Sequence, residues 1–285
     1  FGTRGGLTGV LAEELTRDSV ATALRAGRTW ATTGERLVGL AWSGGYLQGD
    51  SFAADHAVKV HYRFLGDAGW DEITAFDHTG QIWRRNLQQE AGFSSRRVRL
   101  RWGGARVLDR YRWAEWRGKI TVLNGTVDRF EARGFEHVEE AAWRDGPVSL
   151  GFRSDTFGDD DALEMEISNL AHATIKVEGT IGGYVKVGDP RAGAPFVHRP
   201  DFSWEIRGAD LLAAADGALR LELGGAGLFT ALERLTDAPL PRDVSGTLAL
   251  EPENGPHGHR PLFFRARQID DAKVWTSAIY VHFQQ

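Results

Sequence analysis

From Leu37 onward, apolar and polar residues alternate with a period of two, in short runs separated by turn residues. Val58-Lys59-Val60-His61-Tyr62-Arg63-Phe64 and Arg97-Val98-Arg99-Leu100-Arg101-Trp102 are of this kind. Such a run puts its apolar side chains on one face of a strand and its polar ones on the other, which a helix of the same composition cannot do. Further runs lie at 37–42, 119–123, 148–153, 163–168, 174–178, 184–187, 202–206, 218–223, 229–235, 247–250, 262–267 and 275–283. The 35 glycines fall largely between them. After 119–123 comes Asn124-Gly125, the dipeptide of a two-residue hairpin turn. Many short strands at near-regular spacing predict a mainly β chain, with an antiparallel, sandwich-like region. Residues 211–215 fit a single helical turn.

One segment reads as a helix with both ends marked. Thr16 is placed to cap it, because its hydroxyl can accept an orphan backbone N–H. Asp18 falls in the first turn and Arg25 in the last, the signs that suit the helix dipole. Leu15 and Val20 are spaced as a hydrophobic staple, and Gly27 suits a left-handed exit. A helix of about ten residues is too short to hold in water alone. It therefore needs a surface to pack on.

Composition excludes several classes. With no cysteine there is no disulfide, no thiolate nucleophile and no cysteine metal site. A net charge of −5 argues against a chain-wide basic face for nucleic acid. No apolar run approaches the ~20 residues of a membrane-spanning helix. The 42% hydrophobic content is enough for a sizeable core, and cytoplasm and periplasm are equally compatible. There is no nucleotide-binding Gly-rich loop, no His-Glu-x-x-His and no Gly-x-Ser-x-Gly elbow, so no catalytic residue is assigned.

Three stretches carry suggestive chemistry. His257-Gly258-His259 could offer two imidazoles to a metal, but Asn254, Gly255, Pro256 and Pro261 around it predict an exposed turn. Asp159-Asp160-Asp161 lacks the alternation of a calcium loop, and a solvated turn is expected there. From Arg84 to Lys119, arginines are interleaved with aromatics. Such a segment could neutralise a polyanion and stack its rings, with Trp102, Trp113 and Trp116 as the ligand platform. The competing expectation is an arginine-covered sheet face whose stems pack on tryptophan rings.

The front of the chain also resembles a known family. The residues that carry this are Gly5-Gly6-Leu7-Thr8-Gly9-Val10, Glu14-Leu15-Thr16-Arg17 and the run Ala23-Leu24-Arg25-Ala26-Gly27-Arg28-Thr29-Trp30-Ala31-Thr32-Thr33-Gly34-Glu35-Arg36-Leu37. Arg101-Trp102-Gly103-Gly104 with Trp116-Arg117-Gly118-Lys119-Ile120, and the closing stretch from Phe264 to Val281, fit as well. Together they resemble a bacterial family whose front half is similar to the polymerase-and-histidinol-phosphatase (PHP) metal-dependent phosphoesterases and whose back half is β-rich. The chain departs from the closing motif at Thr276 and Ala278, where Ser and Pro are common in the family.

The resemblance implies a chain organised as the end of a PHP-like metal-binding α/β domain over residues 1–34. A β-rich accessory region would cover 35–285, with a possible sub-boundary near 188–195. The family's His and Asp metal ligands match no position here. The divalent metal, and the partner domain that holds it, are therefore expected before Phe1. On this reading Arg28, Thr32, Thr33 and Arg36 face that domain or its anionic substrate, since Arg suits bidentate oxyanion contacts. The function implied is support of a metal-dependent hydrolase and of its substrate entrance. The alternative is a stand-alone carbohydrate- or ligand-binding β-sandwich module.

Overall fold

The computed structural model describes residues 5–104, 113–184, 201–224 and 227–284. The chain is mainly β, as the alternation predicts, and it forms two compact units. The first unit combines residues 1–90 with 239–285; the second is the continuous stretch 91–238. The second unit is thus inserted into the sequence of the first. These divisions, at 90/91 and 238/239, are not marked in the sequence, which pointed to 34/35 and 188–195. The latter stretch lies outside the described residues.

The first unit has two sheets. One runs Leu7–Val10, Thr29–Thr32, Lys273–Thr276, Arg260–Gln268, Ile279–Phe283, Ser51–Ala54, with Trp70–Asp77 also paired to Arg260–Gln268 and Gly80–Asn86 beyond it. Its pairings are antiparallel except that of Ile279–Phe283 with Ser51–Ala54. The other runs Asp243–Leu250, Val58–Leu65, Val38–Ser43, Tyr46–Leu47. Val60, Tyr62 and Phe64 from this sheet share a core with Ile73, Phe264 and Val274 from the larger one. Their neighbours Lys59 and Arg63 point to solvent, so the period of two reports burial directly.

The second unit is a sandwich of two five-stranded antiparallel sheets. One runs Ala141–Arg144, Ser149–Thr156, Trp113–Leu123, Thr174–Tyr184, Asp201–Arg207; the other runs Val127–Arg133, Asp160–Ile167, Phe93–Gly103, Phe229–Thr236, Ala218–Glu222. Val98, Leu100 and Trp102 of the second sheet meet Trp116, Ile120 and Phe152 of the first in one core. The Trp102 and Phe152 rings stack with centroids 4.2 Å apart.

Several local expectations hold. The helix spans Arg17–Arg25, Thr16 accepts the Ser19 N–H, and Gly27 leaves with φ +66°. Residues 208–213 form the helical turn seen near 211. Among the described residues, no helix is long and apolar enough to cross a membrane.

Two expectations need correction. Asn124-Gly125 does not close a hairpin, because Trp113–Leu123 and Val127–Arg133 belong to different sheets. Asn124 does take the left-handed conformation that the dipeptide favours, with φ +58°. The turn carries the chain across the sandwich, where Val122 and Val127 donate to the Val148 and Pro147 carbonyls. The run 275–283 is likewise two strands, broken where the Ser277 N–H donates to Thr29.

The sandwich core makes a measurable prediction. Trp102→Ala empties a site that is 1% exposed, and should cost about 3–5 kcal/mol in urea unfolding. Trp143→Ala, at a ring 49% exposed, should cost far less.

Candidate functional site

The four residues expected to face a neighbouring domain fall into two groups. Arg28 is half-buried and forms a forked pair with Asp50, its Nη2 lying 3.0 and 3.3 Å from the two carboxylate oxygens. Thr32 donates to the Glu35 carbonyl and Thr33 to the Glu35 carboxylate, so both hydroxyls shape the turn at Gly34. Thr33 also accepts from the Lys273 N–H. Arg36 is exposed and has no polar partner among the described residues. Three of the four therefore serve local structure, and Arg36 alone is left pointing outward.

The proposed tryptophan platform is not assembled. Trp102 and Trp116 turn into the sandwich core, where their indole N–H groups donate to Ser154 (2.7 Å) and Thr156 (2.9 Å). A ring closed off on both faces offers nothing to a ligand. Trp113 is half-buried.

The arginines between Arg96 and Arg101 form a charge ladder on the sheet face opposite that core. Arg99 Nε and Nη2 lie 2.9 and 2.7 Å from Glu233 Oε2. Arg101 takes the other oxygen of Glu233 at 2.6 Å and reaches Asp160 at 2.7 Å. Arg97 donates to the Thr236 carbonyl and, with Arg133, approaches Glu164 at 3.5 Å. The rings stacked with these guanidiniums are phenylalanines: Arg101 and Arg220 lie 5.2 and 3.7 Å from the Phe229 centroid. The expected arginine-covered face is present, with phenylalanine in place of tryptophan, and its charges are neutralised within the sheet.

This ladder also corrects the reading of Asp159-Asp160-Asp161. Asp159 does sit in a turn, accepting from the Phe157 N–H. Asp160 and Asp161 instead begin a strand and are buried, Asp160 against Arg101. In the first unit a second cluster joins Asp71, Glu72, Arg84, Arg265 and Arg267. Burial pushes the Glu72 carboxyl up, but Arg267 and Arg84 outweigh it and hold the group below the usual range.

A carboxylate group lies on the outer face of the other sheet of the second unit. Glu115 and Asp155 are direct cross-strand partners. Glu140 joins them by accepting the Asp155 N–H at 2.8 Å. Burial raises the Asp155 pKa, and the charges of Glu115 and Glu140 raise it further, against Arg153. Arg117 is hydrogen-bonded to Glu115, and Arg153 to Glu139.

A polar hollow lies elsewhere, on the outer face of the four-stranded sheet in the first unit. Trp42, His61 and Thr247 are aligned across three strands by their pairing. The Trp42 and His61 rings stack, with centroids 5.5 Å apart and planes 16° apart. His61 Nδ1 lies 2.9 Å from the Thr247 hydroxyl. Beside this row Arg63 makes a two-pronged contact with Asp243, at 3.0 and 2.7 Å. These residues line a groove of about 460 Å³. The sequence reading missed them. Only the alternation of Lys59, His61 and Arg63 could have pointed here, and it does not reveal that Asp243 and Thr247 lie alongside.

His257 and His259 occupy the exposed turn that was expected, with Gly258 at φ +73°. The fold brings His282 near them, its ring centroid 5.4 Å from that of His259. Among the described residues, no three His, Cys, Asp or Glu side chains converge as metal ligands. Comparison with family models, with curated proteins and with solved structures finds no match for this chain.

Two outcomes follow from these charges. Glu233→Gln leaves two guanidiniums facing a neutral amide and should cost about 3–5 kcal/mol in denaturant unfolding. Arg99→Met combined with Glu233→Leu should recover much of that loss, because Arg101 keeps Asp160. Asp155→Asn should act in the opposite sense. A carboxyl whose folded pKa is raised destabilises the fold when it is charged, so the variant should melt higher than the parent at pH 7. That gain should shrink as the pH falls through the raised pKa and vanish below about 3.8. Melting curves across pH read both effects.

Proposed function

We propose that this chain is the accessory β region of a PHP-like metal-dependent hydrolase, and that its leading segment packs against the metal-bearing domain. The observation that carries this is the state of residues 7–25. The helix Arg17–Arg25 is capped at both ends, yet Ala23 is its one fully buried residue. Leu7, Leu15 and Leu24 are 45%, 97% and 49% exposed. Large apolar side chains gathered this closely in sequence, beside a helix too short to persist unaided, call for a covering surface. The resemblance of this same segment to the PHP-related family supplies the identity of that surface. Arg36, outward and unengaged, is the residue best placed to meet an acidic edge of it or an anionic substrate.

In this arrangement the chemistry belongs to the metal domain. A divalent ion held there would polarise a phosphoester and activate water. The residues of this chain would position and shield.

The test compares this chain with the product of its complete reading frame. Peptides covering residues 7–25 should exchange amide hydrogens more slowly in the longer protein. Leu15→Asp and Leu24→Asp should each destabilise the longer protein by about 1–3 kcal/mol while leaving this chain's own melting unchanged. Divalent metal and phosphoesterase turnover should appear in the longer protein. Equal exchange in both proteins, or a reading frame with no His/Asp-rich domain before Phe1, overturns the proposal.

A further inference from the structure

The groove on the four-stranded sheet has the chemistry of a sugar-binding surface, and we propose that it binds a neutral polysaccharide chain. This inference concerns the first unit alone and holds whether or not a metal domain precedes it.

Three features combine. The first is a stacked aromatic pair. Trp42 and His61 lie nearly parallel on the solvent-facing side of the sheet, both half-buried. Such a surface suits the C–H face of a pyranose ring, which is apolar and planar on the same scale. The second is a fixed set of hydrogen-bonding groups at the edge of that aromatic pair. Arg63 and Asp243 hold each other in a fork, leaving Nη1 of Arg63 and the outer lone pairs of Asp243 for adjacent hydroxyls. Thr247 fixes the Nδ1 side of His61, and Nε2 has no partner among the described residues.

The third feature is the absence of charge bias in the pair. Arg63 and Asp243 cancel, so the site selects neither a polyanion nor a polycation. Both side chains are about half exposed. An ion pair of that kind adds little to stability. Its forked geometry is better accounted for as a binding element than as a brace.

The groove is shaped for a chain more than for a single small molecule. It is shallow, and a second hollow of about 570 Å³ shares Ser245, Gly246 and Thr247 as its wall and extends to Trp83 and Arg85. Gly246 has a specific part here. A Cβ at that position would come within 2.2 Å of the Tyr62 hydroxyl. Glycine therefore lets the Tyr62 ring lie across the edge strand, where its hydroxyl accepts from Arg85 at 3.2 Å.

Native gel electrophoresis of this chain through gels containing soluble β-glucan, xylan or galactomannan tests the proposal. At least one of these neutral polymers should retard the protein. His61→Ala and Thr247→Glu, both on the solvent face, should each weaken that retardation by about tenfold or more, as loss of a contact anchor does. Trp42→Ala should abolish it, and melting curves of all three variants check that the fold is intact. Lack of retardation by every neutral polymer overturns the proposal. So does retardation that survives His61→Ala and Thr247→Glu unchanged, which would place the site elsewhere. Retardation by heparin or alginate alone would also overturn it, because the ligand would then be recognised by charge.

Discussion

Over Val98–Leu100 the strand Phe93–Gly103 is buried on both faces, and much of the second unit follows from how that is made tolerable. Val98, Leu100 and Trp102 enter a hydrocarbon core and need only to be packed. Arg99, on the opposite face, is withdrawn from water almost as completely, and a buried guanidinium without counter-charge is not stable. The neighbouring strands supply carboxylates at the matching positions. Glu233 and Glu164 both lie opposite Arg99 in the ladder, one from each side. A slip of one residue in either pairing would turn a carboxylate toward the hydrocarbon core, taking Glu233 from Arg99 and Arg101 in one case and Glu164 from Arg97 and Arg133 in the other. The charge ladder therefore fixes register more firmly than it adds stability, since an ion pair of this kind competes poorly with a well-packed apolar contact.

The same double burial explains which strands could be read in the sequence. Val58–Leu65 alternates cleanly because one of its faces meets water, and its bounds were legible within a residue. Trp70–Asp77 was not recognised. All but one of its residues are buried, and its polar members Asp71, Glu72 and Thr74 are paired inside the fold. To a reading that equates polar with exposed, such a strand has no period. The buried pair Asp160 and Asp161 was mistaken for a turn for the same reason. Helix punctuation, by contrast, is local chemistry. Thr16, Asp18, Arg25 and Gly27 act within a few residues of themselves, and each was placed correctly.

Turn chemistry was half legible. Asn124 adopts the backbone conformation that Asn-Gly favours, but conformation does not decide which strand the chain joins next. That depends on hydrogen bonds to Pro147 and Val148 and on the close approach of Ser168 to Gly125. None of these partners is visible from residues 119–125. The candidate site met the same limit. Interleaved tryptophans suggested a platform at Trp102, Trp113 and Trp116, yet the alternation that marks those strands also turns Trp102 and Trp116 inward. A tryptophan on the apolar phase of a strand is a core residue. Trp42 became accessible because it shares the phase of Lys59, His61 and Arg63, the outward one, through its pairing with His61.

That phase relation bears on where binding surfaces can arise in such a chain. The outward face of the sheet that holds Phe93–Gly103 carries arginine and carboxylate partners in adjacent positions, Arg99 and Arg101 with Glu233 and Arg101 with Asp160. A ligand there would have to displace an existing pair and bear the cost of leaving charge unmatched. On the four-stranded sheet of the first unit the outward row is Trp42, His61 and Thr247, in which an aromatic pair and neutral polar groups replace the ladder. A ligand can add contacts there without breaking any. The chain leaves the first unit after Glu90 and returns at Pro239, just ahead of the strand that supplies Asp243 and Thr247. The strand that completes the groove is thus the first one made after the chain re-enters the unit, and its register against Val58–Leu65 sets whether His61 and Thr247 meet.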